Sequence, residues 1–208
     1  MPVFALVGNK GGAGKTTLTM NLAAGLARRG SIAILDVDPQ GSALQWRAIA
    51  EDDALPSVFD AGGDLIRQSE ALENQYDYVL IDCPPSVHAP QTHAALRITD
   101  MALIPVQPSP VDMWATMHTE RAIANARQHN PSLQALLVIN QLEPRTTLSQ
   151  LMREALAEIA LPLAETPIRR RTVYRNSALE GRSVYAMGRR GAGAVAELDQ
   201  LIEEVISS

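Results

Sequence analysis

The sequence predicts an α/β protein built on a doubly wound, mostly parallel sheet with helices on both faces. Three observations carry this. Short runs that are apolar throughout alternate with longer amphipathic stretches, as expected for strands covered on both faces and separated by helices. The first apolar run passes directly into a glycine-rich loop that opens a helix. Two later runs meet aspartates, Asp36 and Asp82, at their carboxyl ends, where such sheets bind ligands.

In chain order, Val3 to Val7 is apolar and reads as the first strand. Thr16 to Arg29 carries Leu18, Leu22 and Leu26 at helical spacing, with Gly30 as its expected C-cap. Ile32 to Val37 reads as a second strand and Ser57 to Phe59 as a short one. Tyr78 to Ile81 is a strand stopped by Pro84-Pro85. Met101 to Val106 is another, and Leu136 to Ile139 follows a helical segment over 114–128. Leu163 to Ile168 is expected to be the last strand. Ala192 to Ile206 is helical by the periodicity of Val195, Leu198, Leu201, Ile202 and Val205. The sequence contains no internal repeat, low-complexity tract or dividing linker, so one domain over residues 1–208 is expected.

Composition narrows the function classes. With 46% hydrophobic and 20% charged residues, the chain can build a sizeable core. Its formal charge of −5 excludes a bulk-basic nucleic-acid binder but not a local basic patch. One cysteine, Cys83, excludes an internal disulfide, a cysteine-rich zinc site and an iron–sulfur cluster within one chain. No apolar run approaches the roughly 18–20 residues of a membrane span. The segment MPVFALVGNK has no basic region ahead of its apolar stretch, so no signal peptide and a cytoplasmic location are expected. Of the 18 basic residues only Lys10 and Lys15 are lysine, and both lie in the glycine-rich loop. A chain that otherwise uses arginine keeps lysine where the chemistry requires it.

That loop, Lys10-Gly11-Gly12-Ala13-Gly14-Lys15-Thr16-Thr17, has the strand-to-helix context of a phosphate-binding loop. Glycines let backbone N–H groups converge on phosphate oxygens, and the helix N-terminus adds favourable dipole charge. Lys15 would reach the β- and γ-phosphates, and the Thr16 hydroxyl would ligate Mg²⁺. The common pattern needs glycine at position 9, where this chain has Asn9, so the loop is a variant. Asp82, ending the Tyr78 strand, is the expected acidic partner of the Mg²⁺ site. Asp36 and Asp38 stand two residues apart after another strand, an arrangement that calls for a cation, water or arginine to answer it. A turn begun by Asp38-Pro39 is the simpler alternative.

KGGAGKTT, ILDVDPQGSA and DYVLIDCPPS, in that order, resemble the deviant Walker A ATPases of the ParA/MinD family, most closely the short partition ATPases. VQPSPVDMWAT, LLVINQLEPRTT and TPIRRRTVYRNSALEGRSVY extend the resemblance over nearly the whole chain. It implies an ATPase using ATP and Mg²⁺, with Gly11, Gly12, Ala13, Gly14, Lys15, Thr16 and Thr17 around the phosphates. It implies an ATP-bound sandwich homodimer in which Lys10 reaches the partner's phosphates, as an arginine finger does. Asp38 would position the attacking water, Asp36 would support the Mg²⁺ shell, Asp82 would be the Walker B acid, and Asn140 would hydrogen-bond adenine. The first strand begins at residue 2 or 3, so no N-terminal helix-turn-helix domain is expected.

Seven arginines and one acid, Glu180, fall between residues 169 and 190 of this acidic chain, a plausible phosphate-backbone footprint. The resemblance implies non-specific duplex DNA binding by Arg169, Arg171, Arg189 and Arg190, with pairing to nearby carboxylates as the alternative for some of them. It also implies a ParB-like or other cargo-adaptor partner, and a nucleoid-associated protein that spaces a plasmid, chromosome or protein compartment. A biosynthetic enzyme that activates a carboxylate with ATP is the alternative. A membrane-bound regulator is disfavoured, because the tail AVAELDQLIEEVISS carries four acids and no base, and a core-packing helix is expected instead. Cys83 is expected to be buried beside the site. The four histidines show no metal-ligand spacing; Met113, Trp114 and Met117, at helical spacing, are assigned to core or dimer interface, and Asp112 to the dimer face.

Overall fold

A computed structural model describes residues 1–51, 55–143, 156 and 159–207, and of residues 110–113 the backbone alone. Its elements are β1 (Val3–Leu6), α1 (Lys15–Leu26), β2 (Ile32–Asp36), α2 (Ser42–Ala48), β3 (Ser57–Asp60), α3 (Leu65–Leu72) and β4 (Tyr78–Asp82). There follow α4 (Pro90–Ile98), β5 (Met101–Val106), α5 (Pro110–Ala126), β6 (Gln134–Leu142), β7 (Ile168–Arg169), α6 (Thr172–Leu179), a 3₁₀ helix (Val184–Arg190) and α7 (Ala192–Ser207).

The strands form one sheet in the order β3-β2-β4-β1-β5-β6-β7, and every pairing is parallel. Parallel neighbours need crossovers, which the helices supply, so each face acquires a helical layer. Strand alternation divides the apolar side chains between the two layers. Phe4, Leu6, Ile34, Leu80 and Leu103 pack with Leu18 and Leu22 of α1 and Leu198, Leu201 and Ile202 of α7. Ala5, Val7, Leu35, Ile81 and Ile104 face Leu65 and Leu72 of α3, Leu96 of α4 and Ile123 of α5. Leu6 is fully buried, and truncating such a residue to alanine costs about 2–5 kcal/mol. The apolar stripe of α7 is therefore spent on the core, as the acidic tail predicted. Among the described residues no helix is long and apolar enough to cross a membrane.

Some boundaries differ from the sequence reading. Helix α1 ends at Leu26, and its cap Ala27 is right-handed. Gly30 does not take the left-handed conformation of a C-cap. It is required for space instead, since a Cβ there would stand 2.8 Å from Asp77 Oδ2. Asp77 holds that position by accepting from the Ser31 N–H (2.7 Å) and hydroxyl (2.8 Å). Helix α5 starts at Pro110, four residues before the expected 114, because proline suits the first helical turn. The expected strand over 163–168 is reduced to the two residues of β7 and a single bridge from Leu163 to Leu137. Pro167 has no N–H to give a ladder, and a bulge at Gln141 shifts the β6–β7 register. Asp112, Met113 and the end of the LEPRTT segment, singled out in the sequence, lie outside the described side chains.

Candidate functional site

The loop between β1 and α1 lies at the carboxyl end of the sheet's central strands. Gly14, at the N-cap of α1, is left-handed at φ 91°, and a Cβ there would overlap the Asn140 amide. No side chain caps α1 and no acid occupies its first turn, so its free N–H groups and positive dipole end face the loop.

Lys15 is buried, and its Nζ donates to the Lys10 carbonyl at 3.2 Å. Burial lowers its pKa, and the Asp82 carboxylate is the strongest opposing influence. Asp82 has no exposed surface. The Thr16 hydroxyl donates to one of its oxygens at 2.6 Å and the Thr19 hydroxyl to the other at 3.0 Å. Burial pushes Asp82 up to about 7 against the pull of the Thr16 bond, with Asp36 adding to the rise. The structure thus brings Lys15, Thr16 and Asp82 together, as the sequence predicted. Thr19 was not foreseen, although it lies one turn beyond Thr16 on the same helix face.

Asp36 sits opposite Asp82 in the β2–β4 register and is buried. One of its oxygens accepts from the N–H of Asp38 (3.1 Å), the other from the N–H groups of Ala43 (3.0 Å) and Leu44 (3.1 Å). Burial raises its pKa against these bonds. Both oxygens are thus engaged in tying the Asp38 loop to the start of α2, a positioning task distinct from the metal-shell role expected of it. Asp38 is half-buried on that loop, and its carboxylate accepts the Gln40 N–H at 3.0 Å, which is the turn the sequence offered as the alternative.

Three amides hold the loop's carbonyls. Asn140 Nδ2 donates to Ala13 at 2.7 Å, while Gln107 (2.7 Å) and Gln141 (3.2 Å) both donate to Gly12. Asn140, expected to read a base, is therefore a latch on the loop here, and its Oδ1 accepts the Gln141 N–H at 2.9 Å. Gln141 itself is left-handed at φ 58°, an uncommon conformation for a residue other than glycine. Asn9 Oδ1 accepts the Val87 N–H at 3.4 Å and connects the loop to the segment after β4. Neither glutamine was predicted, because what places them is strand order rather than local pattern.

Beside the loop is a cavity of about 220 Å³, lined by Gly14, Thr17, Asn140, Ile168, Arg170 and Tyr174, among others. It has room for a single heterocycle, smaller than a drug-sized pocket of at least roughly 300 Å³. Among the described residues, the Tyr174 hydroxyl is the one buried side-chain polar atom without a hydrogen-bond partner. A cavity of this size, walled in part by Tyr174 and lying next to a phosphate-type loop, fits a purine nucleoside there, with its phosphates on the loop. Thr16 and Asp82 are hard oxygen donors of the kind Mg²⁺ takes.

The arginines separate into groups. Arg171 is held by Glu197 through Nη2 (2.5 Å) and Nε (3.3 Å), which raises its pKa. Arg169 approaches the same carboxylate at 3.6 Å, and Arg170 pairs with Glu143 at 2.7 Å. Arg171 is thereby withdrawn from the expected DNA footprint, and Arg169 is partly so. Arg189 and Arg190 are exposed at the end of the 3₁₀ helix, with Arg190 4.0 Å from Glu180. Cys83 is buried next to Asp82, and burial pushes its thiol far up. Among the described residues no cluster of histidine, cysteine and acids is arranged to hold a metal.

A family model described as the CobQ/CobB/MinD/ParA nucleotide binding domain matches residues 4–184. The maintenance of carboxysome distribution protein A of Halothiobacillus neapolitanus is 39% identical over 208 residues, covering 99% of this chain and 96% of its own. The sporulation initiation inhibitor protein Soj of Bacillus subtilis is 28% identical, covering 99% and 98%. The ATP complex of Cyanothece McdA superposes with a TM-score of 0.77 at 16% identity, covering 100% of this chain and 96% of that one.

Proposed function

The chain belongs to the CobQ/CobB/MinD/ParA nucleotide-binding family, and on that premise we propose that it is a Mg²⁺-dependent ATPase that positions a cargo, the cargo being the carboxysome. The observation that carries the chemistry is the Thr16–Asp82 contact at the open N-terminus of α1, with Lys15 buried beside it. The cargo rests on the full-length similarity to the Halothiobacillus protein named for carboxysome distribution.

When bound, Mg²⁺ neutralises charge on the phosphate oxygens. Thr16 and Asp82 are the residues that would hold it. Lys15 swings from the Lys10 carbonyl to the terminal phosphates, where a buried ammonium acts at low effective dielectric. Gly11, Gly12, Ala13, Gly14 and Thr17 present N–H groups to the remaining oxygens. Asn140 and Tyr174 hold the base, Asn140 once it releases Ala13. Asp38 orients the attacking water, and Asp36 fixes the loop that carries Asp38. Lys10 acts across an ATP-bound homodimer on the partner's phosphates. In that dimer Arg189 and Arg190 bind the backbone of nucleoid DNA, and an adaptor protein on the cargo stimulates hydrolysis and release.

The test is binding to duplex DNA of arbitrary sequence with Mg²⁺-ATP and with Mg²⁺-ADP across a salt series. Binding only with ATP, weakening steeply with salt, is expected. Equal affinity in both nucleotide states refutes the switch. For the cargo, deletion of the gene should collapse evenly spaced, fluorescently labelled carboxysomes into clusters, and unchanged spacing refutes that assignment.

A further inference from the structure

The four histidines of the chain, far apart in sequence, converge on one surface groove. His88 approaches it from the turn before α4 and His93 from the first turn of α4, and His118 and His129 from α5 and the turn after it. Arg97 of α4 and Arg121 of α5 stand in the same walls, around a volume of about 490 Å³. All six side chains are exposed, and the His88 and His118 rings meet edge to face at 6.4 Å. Among the described residues, no carboxylate lines the groove and neither arginine has an ion pair. The neighbouring acid on α5, Glu120, accepts the Ala160 N–H instead. In a chain of net charge −5 this is a concentrated site for negative charge.

The shape identifies the ligand further. On α5, residues 118, 121 and 125 follow helical spacing and form a track about 10 Å long at 1.5 Å per residue, and His129 stands in the turn beyond its end. One turn ahead on the same stripe is Trp114, 67% exposed, with Met117 beside it at 48%. The groove has an apolar floor in Leu96 of α4. A cation would be repelled by Arg97 and Arg121. A DNA duplex is a convex rod that meets flat or protruding basic surface, and it makes no use of an exposed Trp–Met pair. A peptide that carries acids along the track and one large apolar residue at its end satisfies every wall of the groove. Tryptophan is also among the residues that most often anchor protein interfaces.

We propose that the α4–α5 groove docks an acidic segment of a partner protein, with its carboxylates on the histidine–arginine walls and an apolar side chain on Trp114 and Met117. The proposal goes beyond the nucleotide chemistry and does not depend on it. Its test therefore omits nucleotide. A fluorescein-labelled 15-residue peptide of repeated Glu-Glu-Leu is titrated with the full chain, beside the same peptide with lysine for glutamate. Fluorescence anisotropy reads binding, and tryptophan emission reads burial of Trp114, since Trp46, the other tryptophan, is already buried.

The glutamate peptide should bind and shift the emission to the blue, and the lysine peptide should do neither. The R97E/R121E variant should bind it at least roughly tenfold more weakly, the scale of one or two interface contacts, while R97K/R121K stays within about threefold of the parent. Equal binding by the parent and R97E/R121E overturns the proposal, as does loss of binding in both variants alike. Displacement of the peptide by a 20-base-pair duplex, with Arg97 and Arg121 needed for both, makes the groove a nucleic-acid surface and also overturns it.

Discussion

Asp82 is enclosed completely, yet each of its oxygens has a threonine hydroxyl as donor. Replacing it with asparagine keeps the size and removes the charge. Asp82→Asn should therefore fold and lose hydrolysis by about 100-fold or more, measured as phosphate release. Tyr174 presents the opposite case, a buried hydroxyl with no partner. Tyr174→Phe should melt at the same temperature or higher, with a gain of up to about 1 kcal/mol, because an unsatisfied polar group is removed. It should also bind a fluorescent ATP analogue more weakly. A variant that is both less stable and unchanged in affinity would remove Tyr174 from the base site. Lys15, Thr16 and Asp82 were legible in sequence because the loop's glycine spacing and a strand-ending acid define them locally. Thr19, Gln107, Gln141 and Tyr174 were not. Thr19 lies one turn beyond Thr16 on the same helix, but the glycine-loop pattern stops short of it, and the other three meet the loop only when a distant strand or helix crosses it, which no local pattern encodes.

At the scale of elements, α7 holds β7 through Glu197. That carboxylate accepts from the Arg169 N–H at 3.2 Å and takes the fork of Arg171. Arg171→Ala should cost about 2 kcal/mol by thermal melting, the value of hydrogen bonds to a charged group, with DNA affinity changing little. Arg189→Glu with Arg190→Glu should do the reverse, sparing stability and ATP binding while DNA binding is lost. The arginine cluster was legible as a charge excess, but its division into structural and available members was not, since the partner Glu197 lies on another element. The end of β4 offers a third check. Cys83 is the chain's one cysteine and is buried with its thiol pushed far up, so DTNB should leave the folded protein unlabelled and react only on denaturation. Fast labelling of native protein would mean that the end of β4 opens readily.

For the whole molecule, two tyrosines set an alkaline limit. Burial raises the pKa of Tyr174, and burial with the bond to Asp199 raises that of Tyr185. Raised in the fold, they bind protons that the unfolded chain gives up near pH 10, the ordinary tyrosine value. Stability from both is complete below that pH and should fall as pH rises above about 10, visible as a dropping melting temperature that Tyr185→Phe makes shallower. The architecture as a whole was legible, because the five long buried strands, β1, β2, β4, β5 and β6, leave an apolar signature that a parallel sheet demands. Strand order was not, since these five runs look equally buried.

That order has a consequence during synthesis. β1 lies at the centre of the sheet, between β4 and β5. Its second neighbour emerges from the ribosome only after residue 106 has been made. At about 5–20 residues per second, the Val3–Leu6 ribbon waits roughly 5–20 s with at least one edge unpaired. The layer over α1 then waits again for α7, the last element described. The nascent chain therefore carries an open apolar strand for about half of its translation, and its yield in cells should depend on how well chaperones shield that edge.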